Sequence, residues 1–145
     1  MNAEIRIVGS RLQITRTFRF PRDRVFSWWS SAEKLQQWSG CKEAISCEIE
    51  MDFRVGGSFT QKMQIAGAGE FTIRGEYVEI LEPEKIVYHA NSGPVTTEVT
   101  VEFIERGGGT QVVVTHEGCP SEGFSRNVSQ GVAETLEALE LLLND

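Results

Sequence analysis

Two hydrophobic periods divide the chain. In residues 12–20, LQITRTFRF, Leu12, Ile14, Phe18 and Phe20 alternate with Gln13, Thr15, Thr17 and Arg19, the mark of a half-buried strand. Arg16 is the one breach on its apolar side. Pro21 ends that strand and suits the first turn of a helix, and RDRVFSWWS places Val25, Phe26 and Trp29 at helical spacing. AEKLQQW predicts a second short helix with Leu35 and Trp38 on one side, stopped by Gly40. From residue 45 to 118 the period is two, with strands predicted near 45–50, 55–65, 70–81, 85–91, 96–105 and 110–117. GAG at 67–69, EPE at 82–84, NSGP at 91–94 and RGGG at 106–109 separate them. Gaps this short make sequence neighbours pair as an antiparallel meander. Phe124, Val128, Val132, Leu136, Leu139 and Leu143 then recur at helical spacing, one apolar stripe on a helix capped near Ser121. That stripe must bury itself on the apolar face of the strands. The expected architecture is α+β: a curved antiparallel sheet of six to seven strands around a long C-terminal helix, with two short helices after the first strand.

Composition narrows the partners. A chain of 145 residues fits one domain, 1–145, and buries enough surface for a core without staples. The net charge of -7 argues against nucleic acid, which needs a clustered positive surface, and against anionic membranes. No window approaches the roughly 20 apolar residues of a membrane span. MNAEIRIVGS lacks the basic and apolar regions of a signal peptide, so a reducing cytoplasmic location is expected. Three cysteines, Cys41, Cys47 and Cys119, without a CxxC pair, read neither as a disulfide framework nor as a zinc site.

The stretch DFRVGGSF, residues 52–59, offers a glycine pair where a strand is predicted. A phosphate-binding glycine loop follows a strand and opens a helix, so that free N–H groups converge on the anion. Here SFTQKMQI follows, which alternates like a strand, and neither GK[ST] nor GxGxxG occurs. Glycines in a strand pattern mark a bulge, a bend or a close backbone approach. A sheet that curls around a helix needs such a kink.

The run DFRVGGSFTQKM also resembles the glycine-pair strand of the activators of heat-shock protein 90 ATPase, a family within the START/Bet v 1-like (SRPBCC) superfamily. FRFPRDRVFSWWSSAEKLQQWSG resembles that family's first strand and helix pair, and GEYVEILEPEKIVYHA its strand, Pro-turn, strand unit. VTVEFIERGGGTQVVVTHEG resembles the last hairpin, and GVAETLEALELLL the closing helix. The resemblance covers nearly the whole chain. It departs at Val132 and Ala90, where the family often has tryptophan. These losses imply a wider or differently shaped interior, which Trp28 and Trp29 partly refill on this reading. The resemblance implies a helix-grip fold with a cavity between sheet and helix, and no particular ligand or cofactor.

Candidate chemistry is sparse. Thr110, Val112, Val114 and His116 share one strand face, so His116 points toward the cavity end of the last strand. It reads either as a hydrogen-bond partner or general base for a bound carbonyl or hydroxyl, or as a histidine satisfied at the sheet rim. Tyr88 lies on the Ile86 side and His89 faces solvent. No HxH, HExxH or His–Cys pair at ligand spacing occurs, so no metal is expected. Glu98 and Glu102 read as a solvated outer face. Arg74 and Glu76 share a mixed side with Thr72, Val78 and Ile80, which makes them candidates for a polar pair inside the cavity. Ser27, Ser30 and Ser31 lack a GxSxG context. Cys119 lies three residues from His116 without evident alignment.

Three readings follow. A carrier or binding protein would hold a small hydrophobic or aromatic molecule against Trp29, Phe59, Met63, Tyr88, Val101 and Val114 of the sheet side, and against Phe124, Val128 and Val132 of the helix, with His116 as the polar contact. A cyclase, dehydratase or hydrolase would use His116 and Tyr88 as catalytic candidates on a polyketide-like or aromatic substrate. A protein-interaction module would touch a chaperone, as the resemblance implies, although 145 residues leave no room for the activator's N-terminal domain. A homodimer through exposed strand edges is compatible with each.

Overall fold

The computed structural model describes residues 3–39 and 44–144. The chain runs β1 (Glu4–Val8), β2 (Arg11–Phe18), α1 (Arg22–Ser27), α2 (Ala32–Leu35), β3 (Ala44–Met51), β4 (Ser58–Ile65), β5 (Gly69–Leu81), β6 (Lys85–Ser92), β7 (Val95–Arg106), β8 (Gly109–Glu117) and α3 (Glu122–Leu143). The strands form one eight-stranded sheet in the order β1-β2-β8-β7-β6-β5-β4-β3, antiparallel at every pair. From β3 to β8 each strand pairs with the next in sequence, because the turns are too short for anything else. The curved sheet grips α3, which makes this a helix-grip fold.

The sheet has eight strands rather than six or seven. The additional one, β1, is an edge strand joined to β2 by a turn at Gly9 and Ser10, with Gly9 at φ +58. Its residues Ile5 and Val8 are exposed, so only Ala3 and Ile7 on this side reach the core. Five residues with so little burial leave a weak alternation signal. The second helix is also shorter than AEKLQQW: α2 ends at Leu35, and single turns carry the chain to Trp38. Gly40, the expected stop, and Cys41 lie outside the described residues.

The glycine pair is not inside a strand. β3 ends at Met51 and β4 starts at Ser58, so residues 52–57 form the hairpin loop between them. Gly56 adopts φ +83, a conformation that side chains with a Cβ rarely reach. A Cβ on Gly57 would collide with the Asp52 carbonyl oxygen. The Gly56 N–H donates to the Tyr77 carbonyl at 2.8 Å, and the Tyr77 N–H donates to the Gly57 carbonyl at 2.9 Å. The close-approach explanation therefore holds, at a tight turn that locks onto β5 rather than at a bulge.

Helix α3 starts where Ser121 accepts the Phe124 N–H at 3.1 Å, an N-cap bond that satisfies one otherwise orphaned donor. The helix packs closest on β2 and β1. There Leu136, Leu139 and Leu143 meet Leu12, Ile14, Phe18, Val25 and Phe26 in a buried cluster. Arg16, the breach in the β2 pattern, is buried beneath the helix and pairs with Glu140 at 2.8 Å.

Candidate functional site

The sheet faces that turn toward α3 are apolar because β7 and β8 present alternating valines inward. Val99, Val101, Val112 and Val114 are all buried. Opposite them, the N-terminal half of α3 offers Phe124, Val128, Gly131, Val132 and Thr135, mostly small side chains. Small residues cannot close the gap that the curved sheet opens, and the gap is a cavity of about 650 Å³. Its size falls in the range of small-molecule sites. Trp29 and Trp38 close one end, stacked edge to face at 4.6 Å, with Trp29 also 4.9 Å from Phe103.

Trp29, Phe59, Met63, Tyr88, Val101, Val114, His116, Phe124, Val128 and Val132 all stand in the cavity wall. Trp28 does not. Its ring lies beside the Lys34 ammonium at 5.5 Å, and its carbonyl accepts the Trp38 indole N–H at 3.2 Å. The volume at Val132 is therefore open toward the cavity, and Trp28 contributes nothing to filling it.

Arg74 and Glu76 are exposed and do not reach the cavity. The reason is a β-bulge in β5, where the register against β6 shifts between Tyr77 and Glu79. A bulge inserts one residue and reverses which side chains face inward. Phe71, Ile73 and Tyr77 line the cavity before the bulge, whereas Ile80 packs on the core after it. Reading one uninterrupted alternation put Arg74 and Glu76 on the side of Ile80. The parity switch between Phe71, Ile73, Tyr77 and the later Ile80 is the sequence signal that locates the bulge.

That same bulge brings in Tyr77, which sequence reasoning missed. Tyr77 pairs in register with Tyr88, Tyr88 with Val99, and Val99 with His116. The three polar side chains thus lie along one row across neighbouring strands. With strands about 4.8 Å apart, Tyr88 and His116 sit roughly 10 Å apart at their backbones. Phe59 anchors the row. Its ring lies 5.4 Å from Tyr77 and 5.2 Å from Tyr88, directly over Gly75, where any Cβ would strike the ring and the His89 carbonyl.

Burial sets the charge state of this row. It pushes the His116 imidazole down to about 4 and the Tyr88 phenol up to about 12. Burial, and secondarily the neighbouring Tyr88, raises Tyr77 as well. All three are neutral at pH 7. Tyr77 Oη lies 4.0 Å from Met51 Sδ. Among the described residues, neither His116 nor Tyr88 has a side-chain hydrogen-bond partner. Further polar groups in the wall are Gln61, which donates to the Ser39 carbonyl at 3.1 Å, together with Ser92, Thr97 and Asn127.

The remaining candidates have structural surroundings. His89 is exposed and lies 3.3 Å from Glu98. Glu98 is exposed and Glu102 half-buried on the outer face. Ser27 and Ser30 donate to helix carbonyls, and Ser31 accepts the Lys34 N–H at 3.3 Å. Cys119 is a free thiol in the core, and Cys47 is free and half-buried. Among the described residues no group of three or more His, Cys, Asp or Glu side chains gathers to hold a metal ion. No helix among them is long and apolar enough to cross a membrane.

Solved structures share the fold. A Chromobacterium violaceum protein superposes with a TM-score of 0.84 at 20% identity, covering 95% of this chain and 99% of that one. A Rhodobacter sphaeroides protein gives 0.84 at 16% identity, covering 98% and 97%. A Rhizobium leguminosarum protein gives 0.75 at 27% identity, covering 98% and 96%. No curated protein matches the sequence closely enough to count as a relative. The family model described as activator of Hsp90 ATPase homolog 1-like protein matches residues 19–144, which hold six of the eight strands, β3 to β8, and the whole of α3, and the chain belongs to that family.

Proposed function

We propose that residues 1–145 act as one cytoplasmic domain that binds or carries a small, largely apolar molecule in the cavity beneath α3. The observation that carries this reading is the cavity of about 650 Å³ walled mainly by apolar side chains, with a few polar groups among them. A catalytic reading on the same residues is less well supported. General acid–base groups work best with a pKa near the working pH. His116, held down to about 4, is a weak base at pH 7, and Tyr88, pushed up to about 12, is a weak acid. Both suit hydrogen bonding to a bound ligand better than proton transfer. A chaperone partner rests on the family name.

The test is a two-dimensional amide NMR titration with lipids, polyketides and aromatic metabolites. Shifts clustered on Phe59, Val114, His116 and Phe124 for one chemical class support the reading, provided Val132→Trp, whose indole takes up part of the cavity, weakens the binding that causes them. A folded protein that shows no shifts with any class refutes it.

A further inference from the structure

The chain carries 21 acidic and 14 basic residues, yet no Asp, Glu, Lys or Arg among the described residues lines the cavity. The ionisable groups that do line it are Tyr77, Tyr88 and His116. The buried Arg16 lies under the other half of α3, outside the cavity wall, where it pairs with Glu140 at 2.8 Å. At the N-terminus of α3, the Phe124 N–H is taken by the Ser121 hydroxyl. A charged ligand group would therefore leave water without any counter-charge, one of the most costly transfers in protein chemistry.

The row formed by Tyr77, Tyr88 and His116 offers something different. A neutral imidazole has one donor and one acceptor, and each phenol can donate or accept. Tyr88 and His116, which have no side-chain partner among the described residues, favour a ligand that supplies the missing hydrogen bonds.

We infer that the cavity selects an uncharged, mainly apolar molecule bearing a hydroxyl or carbonyl group, which lies on the Tyr88–His116 row, and that it rejects carboxylate, phosphate and ammonium counterparts of the same skeleton. This rests on the binding reading above and specifies its ligand class.

Four fluorescent probes on one skeleton test it: pyrene, 1-hydroxypyrene, 1-pyrenecarboxylate and 1-pyrenemethylammonium, titrated at pH 7 into the wild-type protein and into Val132→Trp. The expected order is 1-hydroxypyrene tightest, pyrene about 10-fold weaker, and both ions at least about 100-fold weaker than pyrene. His116→Phe should erase the ratio between 1-hydroxypyrene and pyrene. If an ion binds within tenfold of pyrene, and Val132→Trp weakens both together, charge exclusion is overturned while the binding reading stands. A 1-hydroxypyrene advantage that is absent, or that survives His116→Phe, overturns the assignment of the polar row. If none of the four binds, the binding reading itself fails.

Discussion

Under the C-terminal half of α3, Leu136, Leu139 and Leu143 press on Leu12, Ile14, Phe18 and Phe26, and the interior is solid. Under the N-terminal half of the same helix, Val128, Gly131, Val132 and Thr135 face the same sheet across a cavity of about 650 Å³. One helix and one sheet form both regions. Side-chain volume and the distance from helix to sheet separate them. The helix lies close to β2 and β1, where large residues interdigitate, and stands away from the middle of the curved sheet, where small ones leave space. Interiors close-pack where volume allows, and each unfilled pocket forgoes contacts on its lining. The hollow half is therefore held at some cost in stability, which is how a binding site differs from a core.

The largest test of this contrast compares two phenylalanines. Phe26 packs edge to face on Phe103 at 5.0 Å and is fully buried. Phe26→Ala is expected to lower stability by about 4 kcal/mol in urea unfolding. Phe124→Ala, in the cavity wall, is expected to cost only about 1 kcal/mol, since its ring already lacks neighbours on one side. Equal losses would mean that the two halves are packed alike.

A smaller effect reads the electrostatics of the hollow half. Burial holds the folded His116 near 4, below its unfolded value of about 6.5. Below pH 6.5 the unfolded chain therefore binds more protons, so this contribution to stability is complete above that pH and is lost as pH falls toward 4. Between pH 7 and 4.5 the wild type should lose about 2 kcal/mol more than His116→Gln, measured by urea unfolding at each pH. Parallel pH curves would show that the imidazole is well solvated.

The smallest expected change is a gain. Ser125 is fully buried on α3, and its hydroxyl has no partner. Ser125→Ala should raise stability by about 1 kcal/mol, seen as a higher Tm, because an unsatisfied buried group is removed and alanine favours the helix. A loss would reveal that the hydroxyl is bonded in solution.

Much of this was legible in the chain. The helical stripe from Phe124 to Leu143 and the inward valines of β7 and β8 are local periodicities, and a period dictates a face without reference to any partner. The ten residues expected around a ligand reach one cavity wall for that reason. Arg74 and Glu76 went astray because a bulge at Val78 is decided by how β5 meets β6, not by β5 alone. Tyr77 was missed for the same cause. Strand β1 escaped notice because an edge strand with exposed Ile5 and Val8 has almost no burial pattern to read.

By itself, then, the sequence determined the order of elements after β1, the meander and the inward faces of the strands other than β5, since these follow from short-range alternation and turn chemistry. The tertiary structure alone decided that half of the interior stays empty, that two tyrosines and a histidine share one row, and that charged side chains keep out of it. A void is the difference between the space a curved sheet and helix enclose and the volume their side chains fill. That difference exists only once the elements have taken their positions.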